Sequence, residues 1–203
     1  MNREILRLYL VADRGYAAGR RLRPIVEASV RAGVTLVQIR DKGDDARSFL
    51  AEALDLREAL AGTGVPLLIN DRIDIARAVG ADGVHLGQSD LPPRIAREQL
   101  GPSAIIGLSI ENRAQVGDGK FEGVDYLGVG PVFATSTKSD AAPPIGLDGL
   151  AAIRAATRLP MVGIGGISVV NAASVRATGV EGICVVSAIL GAADPAEATR
   201  ALL

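Results

Sequence analysis

The sequence predicts an α/β fold, a single (β/α)8 TIM barrel that spans residues 1–203 as one domain. Short apolar runs alternate with amphipathic stretches along the whole chain, and eight of these runs are apolar along their length. Such runs are typical of parallel strands that are covered by helices. Eight βα units account for all 203 residues, near the lower size limit of this barrel. A doubly wound open sheet is the alternative.

Each predicted strand is followed by a helical pattern. The strands are expected at residues 7–13, 35–40, 65–70, 83–87, 104–109, 124–130, 159–165 and 182–187. Amphipathic or helical patterns lie at residues 23–33, 46–64, 73–79, 93–99, 147–157, 169–178 and 195–203, with a weaker one after Glu111 and a short helix after the last strand. The alternation of the two periodicities predicts βα units.

A weak internal repeat also favours the barrel. "AGVTLVQIR", "VGADGVHLG", "EGVDYLGVG" and "TGVEGICVVS" each place a glycine and a short turn before a strand, at every second βα unit. The glycines are Gly33, Gly80, Gly123 and Gly179. Glycine also caps helices, which would explain each position singly but not the regular spacing.

Composition excludes several classes of protein. Lys and Arg number 22 against 23 Asp and Glu, without blocks of like charge, so we expect no nucleic-acid partner and no membrane partner. No apolar run is long enough for a signal peptide or a membrane span, which predicts a cytoplasmic protein. The single cysteine, Cys184, is expected to be a core thiol. A homo-oligomer is compatible with the sequence, which does not set the oligomeric state.

Polar residues end or follow seven of the eight predicted strands, and the glycine-rich "GIGGI" lies at the end of the seventh. In a parallel barrel the carboxyl ends of the strands carry the chemistry, so these residues are expected to form one site, although several are also common turn residues. They are Asp13, Arg14, Gln38, Arg40, Asp41, Lys42, Asn70, Asp71, Arg72, His85, Gln88, Asp90, Ser109, Thr135, Thr137, Lys138 and Ser187.

The last two strands predict a phosphate site. "MVGIGGIS" supplies Gly163, Gly165 and Gly166, where the backbone can approach an anion, and "VVSAI" begins a short helix at Ser187. Loops after strands seven and eight form the usual phosphate site of this fold. The alternative is that the glycines serve only a tight turn.

A second anion site is indicated by Arg40, Lys42 and Lys138, together with the carboxylates Asp71 and Asp90 at neighbouring strand ends. Magnesium typically takes one or two carboxylates and completes its shell with water and phosphate oxygens, so this set predicts a Mg²⁺-diphosphate site. Exposed ion pairs are the alternative. A zinc site is not expected, because the one histidine of the chain has no Cys or His partner and suits a structural hydrogen bond.

The loop after strand six, in "GPVFATSTKSDAAPPIG", is long and irregular. Loops of this length in a small domain are usually disordered or functional. We expect it to donate to anionic ligands and to close over them, and to be open to protease cleavage near Ser139 when the site is empty.

Motifs in the sequence resemble those of the thiamine-phosphate synthase family over nearly the whole chain. They are "QIRDK", "LINDR", "ADGVHLGQSD", the "GLS" of residues 107–109, "GVGPVFATSTK", "GLDGL", "VGIGGI" and "VVSAI", in the order and spacing of the family. The resemblance implies a (β/α)8 barrel that joins hydroxymethylpyrimidine diphosphate to a thiazole phosphate, with Mg²⁺ present, and releases pyrophosphate. Its partners would thus be small-molecule substrates.

The same resemblance implies roles for residues that occupy the motif positions. Gln38 and Arg40 would face the pyrimidine substrate and its diphosphate. Diphosphate oxygens would be bound by Lys42, Asn70, Ser109 and Lys138, and Mg²⁺ by Asp71 and Asp90. The thiazole phosphate would be bound by Thr135, Thr137, Gly165, Gly166, Val186 and Ser187. The residues expected to take part in catalysis are Arg40, Lys42, Ser109 and Lys138.

The chemistry implied by the resemblance is dissociative: pyrophosphate leaves, and the thiazole nitrogen attacks the resulting cation, so no general base is essential. Three alternative functions predict different residues or rest on fewer motifs. A thiazole tautomerase would have a histidine where this chain has Pro131. Another phosphate-handling barrel, such as a tryptophan-pathway isomerase, fits the glycine signal alone. A binding regulator would be expected to lose Lys42, Asp71, Asp90 or Lys138.

Overall fold

The computed structural model describes residues 1–117, 121–138 and 141–203 and contains a closed barrel of eight parallel strands in chain order. The strands are β1 (Leu8–Asp13), β2 (Leu36–Arg40), β3 (Leu67–Asn70), β4 (Gly83–Leu86), β5 (Ile105–Ile110), β6 (Tyr126–Val129), β7 (Met161–Ile164) and β8 (Gly182–Val185). Because β1 pairs with β8, the sheet closes on itself. The predicted (β/α)8 fold is confirmed, and the open sheet is excluded.

Helices surround the barrel. They are α1 (Arg14–Ala17), α2 (Leu22–Ala32), α3 (Ala46–Ala59), α4 (Ile73–Val79), α5 (Pro93–Leu100), α6 (Arg113–Gly117), α7 (Gly146–Ala156), α8 (Ala172–Arg176), α9 (Ser187–Leu190) and α10 (Pro195–Ala201), after a 3-10 turn at Arg3–Leu6. No helix in the described part of the chain is both long and apolar enough to cross a bilayer.

Most helices lie where the sequence predicts them, but α8 begins at Ala172 instead of residue 169. The reason is a side-chain turn that precedes it. The Asn171 side chain accepts from the Ser168 N–H at 2.8 Å and donates to the Gly166 carbonyl at 3.0 Å. This leaves Val170 outside the helix and 94% exposed. The short helix α1 was not predicted.

The apolar residues form two separate clusters. The larger one fills the space between the strands and the helices and includes Leu10, Ile39 and Ile69. The smaller one lies inside the barrel and contains Leu6, Tyr9, Val11, Leu36, Leu68, Tyr126, Val162 and Cys184. Two tyrosines in the barrel interior mean that hydroxyl groups are buried there, and these must find hydrogen-bond partners.

A fourfold repeated contact closes the amino-terminal end of the barrel. Two residues after each repeat glycine, a side-chain oxygen accepts from the backbone N–H at or near the start of an odd-numbered strand. The bonds are Leu8 to Thr35 at 3.0 Å, and Leu67 to Asp82, Ile106 to Asp125 and Met161 to Glu181 at 2.8 Å each. The sequence repeat thus corresponds to a repeated stabilising contact at this end.

Arginines neutralise the three carboxylates of this repeat. Arg97 donates to Asp125 at 2.6 Å, Arg57 lies 3.6 Å from Asp82, and Arg154 lies 3.9 Å from Glu181. The four glycines adopt positive φ, and Gly33 and Gly80 do cap helices. The glycines therefore both mark the internal repeat and, at Gly33 and Gly80, cap helices.

Candidate functional site

A cavity of about 460 Å³ opens at the carboxyl-terminal end of the barrel. It is lined by thirteen of the fourteen residues to which the family resemblance assigns roles: Gln38, Arg40, Lys42, Asn70, Asp71, Asp90, Ser109, Thr135, Thr137, Lys138, Gly165, Val186 and Ser187. The exception among these is Gly166, which lies beside Gly165 but does not line the cavity. Of the other polar residues predicted at the strand ends, Asp13, His85 and Gln88 line the cavity, whereas Arg14, Asp41 and Arg72 do not. Residues from all eight strands or the loops after them thus meet in one site, as the predicted topology requires.

Asp71 and Asp90 lie together on one side of this cavity, in contact through their side chains. Asp71 has a φ of 60°, a left-handed conformation that Asp tolerates better than most residues. Its N–H donates to the His85 carbonyl at 2.9 Å. Lys42 Nζ donates to Asp71 Oδ2 at 2.6 Å, and Asp90 Oδ2 accepts from the Gly87 N–H at 2.6 Å.

This carboxylate pair has the chemistry of a cation site. Burial, and then the neighbouring Asp71 carboxyl, raise the pKa of Asp90 above its ordinary value. A divalent cation held by these carboxylates would favour the charged form of Asp90 and so oppose this rise in pKa. The described ranges hold no cluster of three or more His, Cys, Asp or Glu suited to a metal. Two carboxylates suit Mg²⁺, which keeps water and phosphate oxygens as its other ligands.

Arg40 is held at the edge of the cavity by Asp13. The two residues are neighbours in the β1–β2 ladder, and the Arg40 guanidinium donates to Asp13 Oδ2. Asp13 is buried, and its carboxylate also accepts from the Tyr16 N–H at 2.8 Å. Because Asp13 already orders the long Arg40 side chain, less conformational entropy is lost when an anion binds to it. The sequence indicated both residues but not the pair.

Five side chains form a hydrogen-bonded chain across the barrel interior, which we call the interior chain: Gln38, Tyr9, Tyr126, His85 and Ser109. Gln38 Nε2 bonds the Tyr9 hydroxyl, which is 3.0 Å from the Tyr126 hydroxyl. His85 Nδ1 lies 2.8 Å from the Tyr126 hydroxyl and its Nε2 lies 3.0 Å from Ser109 Oγ. Gln38 and Ser109, the two ends, line the cavity, as do Tyr9 and His85 between them.

The groups of the interior chain are neutral. Burial lowers the pKa of His85 to about 4 and raises the pKa values of both tyrosines. The structural role predicted for His85 agrees with these contacts. Sequence reasoning missed Tyr9 and Tyr126, although a tyrosine within each of the apolar strands "RLYLVAD" and "VDYLGVG" was an available signal.

Cys184 lies in the barrel interior and also lines the cavity floor. It is 2% exposed, and burial raises the pKa of its thiol well above the ordinary value. A buried neutral thiol is a poor nucleophile. The prediction of a core thiol therefore agrees with the structure.

The other side of the cavity is built from backbone and hydroxyl groups. Gly165 and Gly166 have φ values of 98° and 64°, and the Phe133 N–H donates to the Gly165 carbonyl at 3.0 Å. A Cβ on Gly166 would lie 2.6 Å from the Ala134 carbonyl oxygen. The glycines are thus needed for the turn and for close packing of the β6 loop, which brings Thr135 to the cavity. Their contact with an anion stays a prediction.

The loop after β6 is tied down at several points. Lys138 Nζ lies 3.6 Å from Glu111 Oε1, the Thr137 N–H donates to Thr135 Oγ1 at 3.2 Å, and the Ile145 N–H donates to the Pro131 carbonyl at 2.9 Å. Ser139, the predicted cleavage point, lies outside the described residues together with residue 140. Closure of this loop stays a prediction.

The chain is similar to known proteins over nearly its whole length. The family model described as thiamine monophosphate synthase matches residues 8–189. The chain is 52% identical to the thiamine-phosphate synthase of Albidiferax ferrireducens over 98% of this chain and 91% of that protein. It is 50% identical to that of Chloroflexus aurantiacus over 97% and 90%. A solved thiamine phosphate pyrophosphorylase from Pyrococcus furiosus superposes with a TM-score of 0.87 at 36% identity, over 98% of this chain and 95% of that chain.

Proposed function

The chain belongs to the thiamine monophosphate synthase family, and we propose that this transferase of thiamine biosynthesis joins hydroxymethylpyrimidine diphosphate to a thiazole phosphate or its carboxylated form. The products are thiamine phosphate and pyrophosphate. One observation carries the proposal: a cluster of carboxylates and cations shares a single cavity with a loop region of hydroxyl and backbone groups. Two different anionic substrates can bind side by side there.

Asp71 and Asp90 are the residues that would hold Mg²⁺. Their adjacent carboxylates supply hard oxygen ligands. Burial, and then the neighbouring Asp71 carboxyl, raise the pKa of Asp90, and a bound cation would oppose both effects. When bound, Mg²⁺ would neutralise the diphosphate and make it a better leaving group. Lys42, which pairs with Asp71, adds a positive charge beside the same oxygens.

The diphosphate would be bound by cationic and neutral donors on the β2 to β5 side. Arg40 ends β2 and Lys42 follows it, Asn70 ends β3, and Ser109 lies in β5. Lys138 reaches the cavity from the β6 loop. Charge-assisted hydrogen bonds of this kind contribute roughly 1.5–3 kcal/mol each, and they strengthen as charge develops on the leaving diphosphate.

The thiazole phosphate would be bound on the β6 to β8 side, by Thr135, Thr137 and the backbone of Gly165, Val186 and Ser187. These residues line the cavity and carry no charge, so the anion would be held by neutral donors. Gly166 contributes to this site by allowing the close packing that positions Thr135.

The reaction needs positioning more than proton transfer. Pyrophosphate leaves the methylene carbon of the pyrimidine, the aminopyrimidine spreads the positive charge, and the thiazole nitrogen attacks the same carbon. Gln38 would orient the pyrimidine, and the two anion sites would fix the distance between the reacting atoms. Apolar residues in the barrel interior, among them Val11 and Val162, exclude water that would quench the cation.

The test is direct. Purified protein is mixed with both substrates and Mg²⁺, and thiamine phosphate is detected by the fluorescence of its oxidised form. We expect product only when both substrates and Mg²⁺ are present. No product from a protein shown to be folded by circular dichroism would contradict the proposal. Residues 1–203 acting as one catalytic domain in the cytoplasm, and self-association into a homo-oligomer, stay predictions.

A further inference from the structure

The interior chain has a direction that can be read from the donors and acceptors of its members. It begins at Gln38, whose Nε2 group can only donate, so the Tyr9 hydroxyl accepts. A hydroxyl has one hydrogen, and that of Tyr9 is left for the Tyr126 oxygen 3.0 Å away. The Tyr126 hydrogen is then left for the next member.

That next member is the His85 imidazole, whose Nδ1 lies 2.8 Å from the Tyr126 hydroxyl. A neutral imidazole has one donor and one acceptor nitrogen. If Nδ1 accepts from Tyr126, the hydrogen must lie on Nε2, which then donates to Ser109 Oγ at 3.0 Å. Ser109 accepts this bond through a lone pair and keeps its own hydrogen.

We propose that this one-way chain holds His85 in the Nε2–H tautomer and leaves the Ser109 hydroxyl hydrogen for an anionic oxygen in the cavity. Tyr9, Tyr126 and His85 are then positioning residues that act through Ser109. The identity of the anion, the diphosphate of the pyrimidine substrate, rests on the proposed function; the direction of the chain does not.

The packing around the imidazole supports a fixed geometry. A Cβ on Gly107 would lie 2.4 Å from His85 Nδ1, and a Cβ on Gly128 would lie 2.8 Å from its Cε1 atom. The absence of side chains at these two positions makes the space that His85 and Tyr126 fill. Both tyrosines of the interior chain are at most 1% exposed, so water does not compete for their hydrogens.

The reverse direction would have the opposite consequences for a ligand. Ser109 would donate to His85, the tyrosines would pass their hydrogens toward Gln38, and the Gln38 amide would turn its carbonyl to Tyr9. Ser109 would then present only lone pairs to the cavity, which repel an anionic oxygen. In the proposed direction Ser109 is a donor, and the Gln38 carbonyl is left to accept from a ligand amino group, such as that of an aminopyrimidine.

The sequence contains one histidine, so its tautomer can be measured without assignment. Protein labelled with ¹⁵N-histidine is examined by long-range ¹H–¹⁵N NMR near neutral pH, with no substrate present. The protonated ring nitrogen resonates far upfield of the unprotonated one, and the coupling pattern to the ring protons distinguishes Nδ1 from Nε2. We expect the Nε2–H tautomer alone. A predominant Nδ1–H tautomer would overturn the proposal.

Two tyrosine variants test the direction further. Tyr126→Phe removes the donor to Nδ1, so we expect a mixture of tautomers and a fall in kcat of roughly tenfold or more, with little change in KM for the thiazole phosphate. Tyr9→Phe leaves the Tyr126 hydrogen directed at Nδ1, so the tautomer should not change. Tyr16→Phe, the third tyrosine of the chain and outside the interior chain, is the matched control for both measurements.

Each result bears on one claim. An unchanged tautomer in folded Tyr126→Phe would show that this hydroxyl does not set the direction and would contradict the proposal. If Tyr126→Phe does not fold, the wild-type spectrum and Tyr9→Phe still decide. If the protein makes no thiamine phosphate but shows the Nε2–H tautomer, the proposed function is refuted, whereas the proposed direction of the interior chain is supported.

Discussion

The two ends of the barrel are built on different plans. At the amino-terminal end the same contact occurs four times, with Thr35, Asp82, Asp125 and Glu181 each bonding a neighbouring strand. At the carboxyl-terminal end no such repeat is present among the described residues, and each strand contributes a different group to one cavity. A repeated contact is enough to stabilise the barrel, whereas binding two different substrates requires different groups around the cavity.

The largest expected effect lies at the carboxyl-terminal end. Asp90→Ala or Asp71→Ala should lower kcat/KM by about a hundredfold or more, because an unneutralised diphosphate is a poor leaving group. The fold should survive, which circular dichroism and thermal melting would check. Initial rates at limiting Mg²⁺ are the measurement, with the exposed Asp44→Ala as the control. Rates close to those of the wild type in both variants would contradict the assignment of Asp71 and Asp90 as Mg²⁺ ligands.

The opposite pattern is expected at the amino-terminal end. Asp125→Ala leaves the Ile106 N–H without its partner and removes the carboxylate that pairs with Arg97, whose guanidinium keeps only backbone carbonyls as acceptors; this should lower the free energy of unfolding by about 1–3 kcal/mol. Below the melting temperature, kcat should be nearly unchanged. Urea unfolding checks this, and Asp125→Asn, which keeps an acceptor for the N–H, should lose less. A large fall in kcat in folded Asp125→Ala would break the separation of the two ends.

Between the ends, His85 should make stability depend on pH. Its pKa is about 4 in the folded protein against an ordinary value of 6.5, so only the unfolded chain takes up a proton between these values. The contribution of His85 to the free energy of unfolding is therefore complete above pH 6.5 and is lost as the pH falls toward 4. The slope should be up to about 1.4 kcal/mol per pH unit steeper than in His85→Gln. Equal slopes for the two proteins in urea unfolding would contradict burial of a neutral imidazole.

The smallest expected effects separate the two sides of the cavity. Lys42→Ala should raise KM for the pyrimidine diphosphate by roughly tenfold, the loss of one charge-assisted bond, and leave KM for the thiazole phosphate nearly constant. Thr135→Val should do the reverse. Steady-state kinetics with each substrate varied in turn gives both constants. Equal changes in both constants in both variants would refute the division of the cavity.

Gly166→Val is a poor probe of the phosphate site, although the sequence suggests it. At a φ of 64°, and with its Cβ position 2.6 Å from the Ala134 carbonyl, a valine would displace the β6 loop as well as any anion. A loss of activity in that variant would not distinguish the two causes. Thr135→Val avoids this problem because it keeps the shape of the side chain.

The sequence predicts the strands, most helices and the group of residues that line the cavity, because periodicity and topology determine which residues follow each strand. It does not predict how those residues pair. The Asp13–Arg40 contact depends on the β1–β2 register, and the chain from Tyr9 through Tyr126 to His85 depends on which side chains point into the barrel. The start of α8 was missed because a side-chain turn at Asn171 replaces the first helical turn.

The separation of the two ends is tested most directly by a double-mutant cycle with Asp90→Ala and Asp125→Ala, measured for both unfolding and kcat/KM. The ends of strands four to six residues long lie on the order of 10–20 Å apart, beyond direct contact. We expect the unfolding free energies to add within about 0.5 kcal/mol and the activity loss of Asp90→Ala to be the same in both backgrounds. A coupling above about 1 kcal/mol in either quantity would contradict the account.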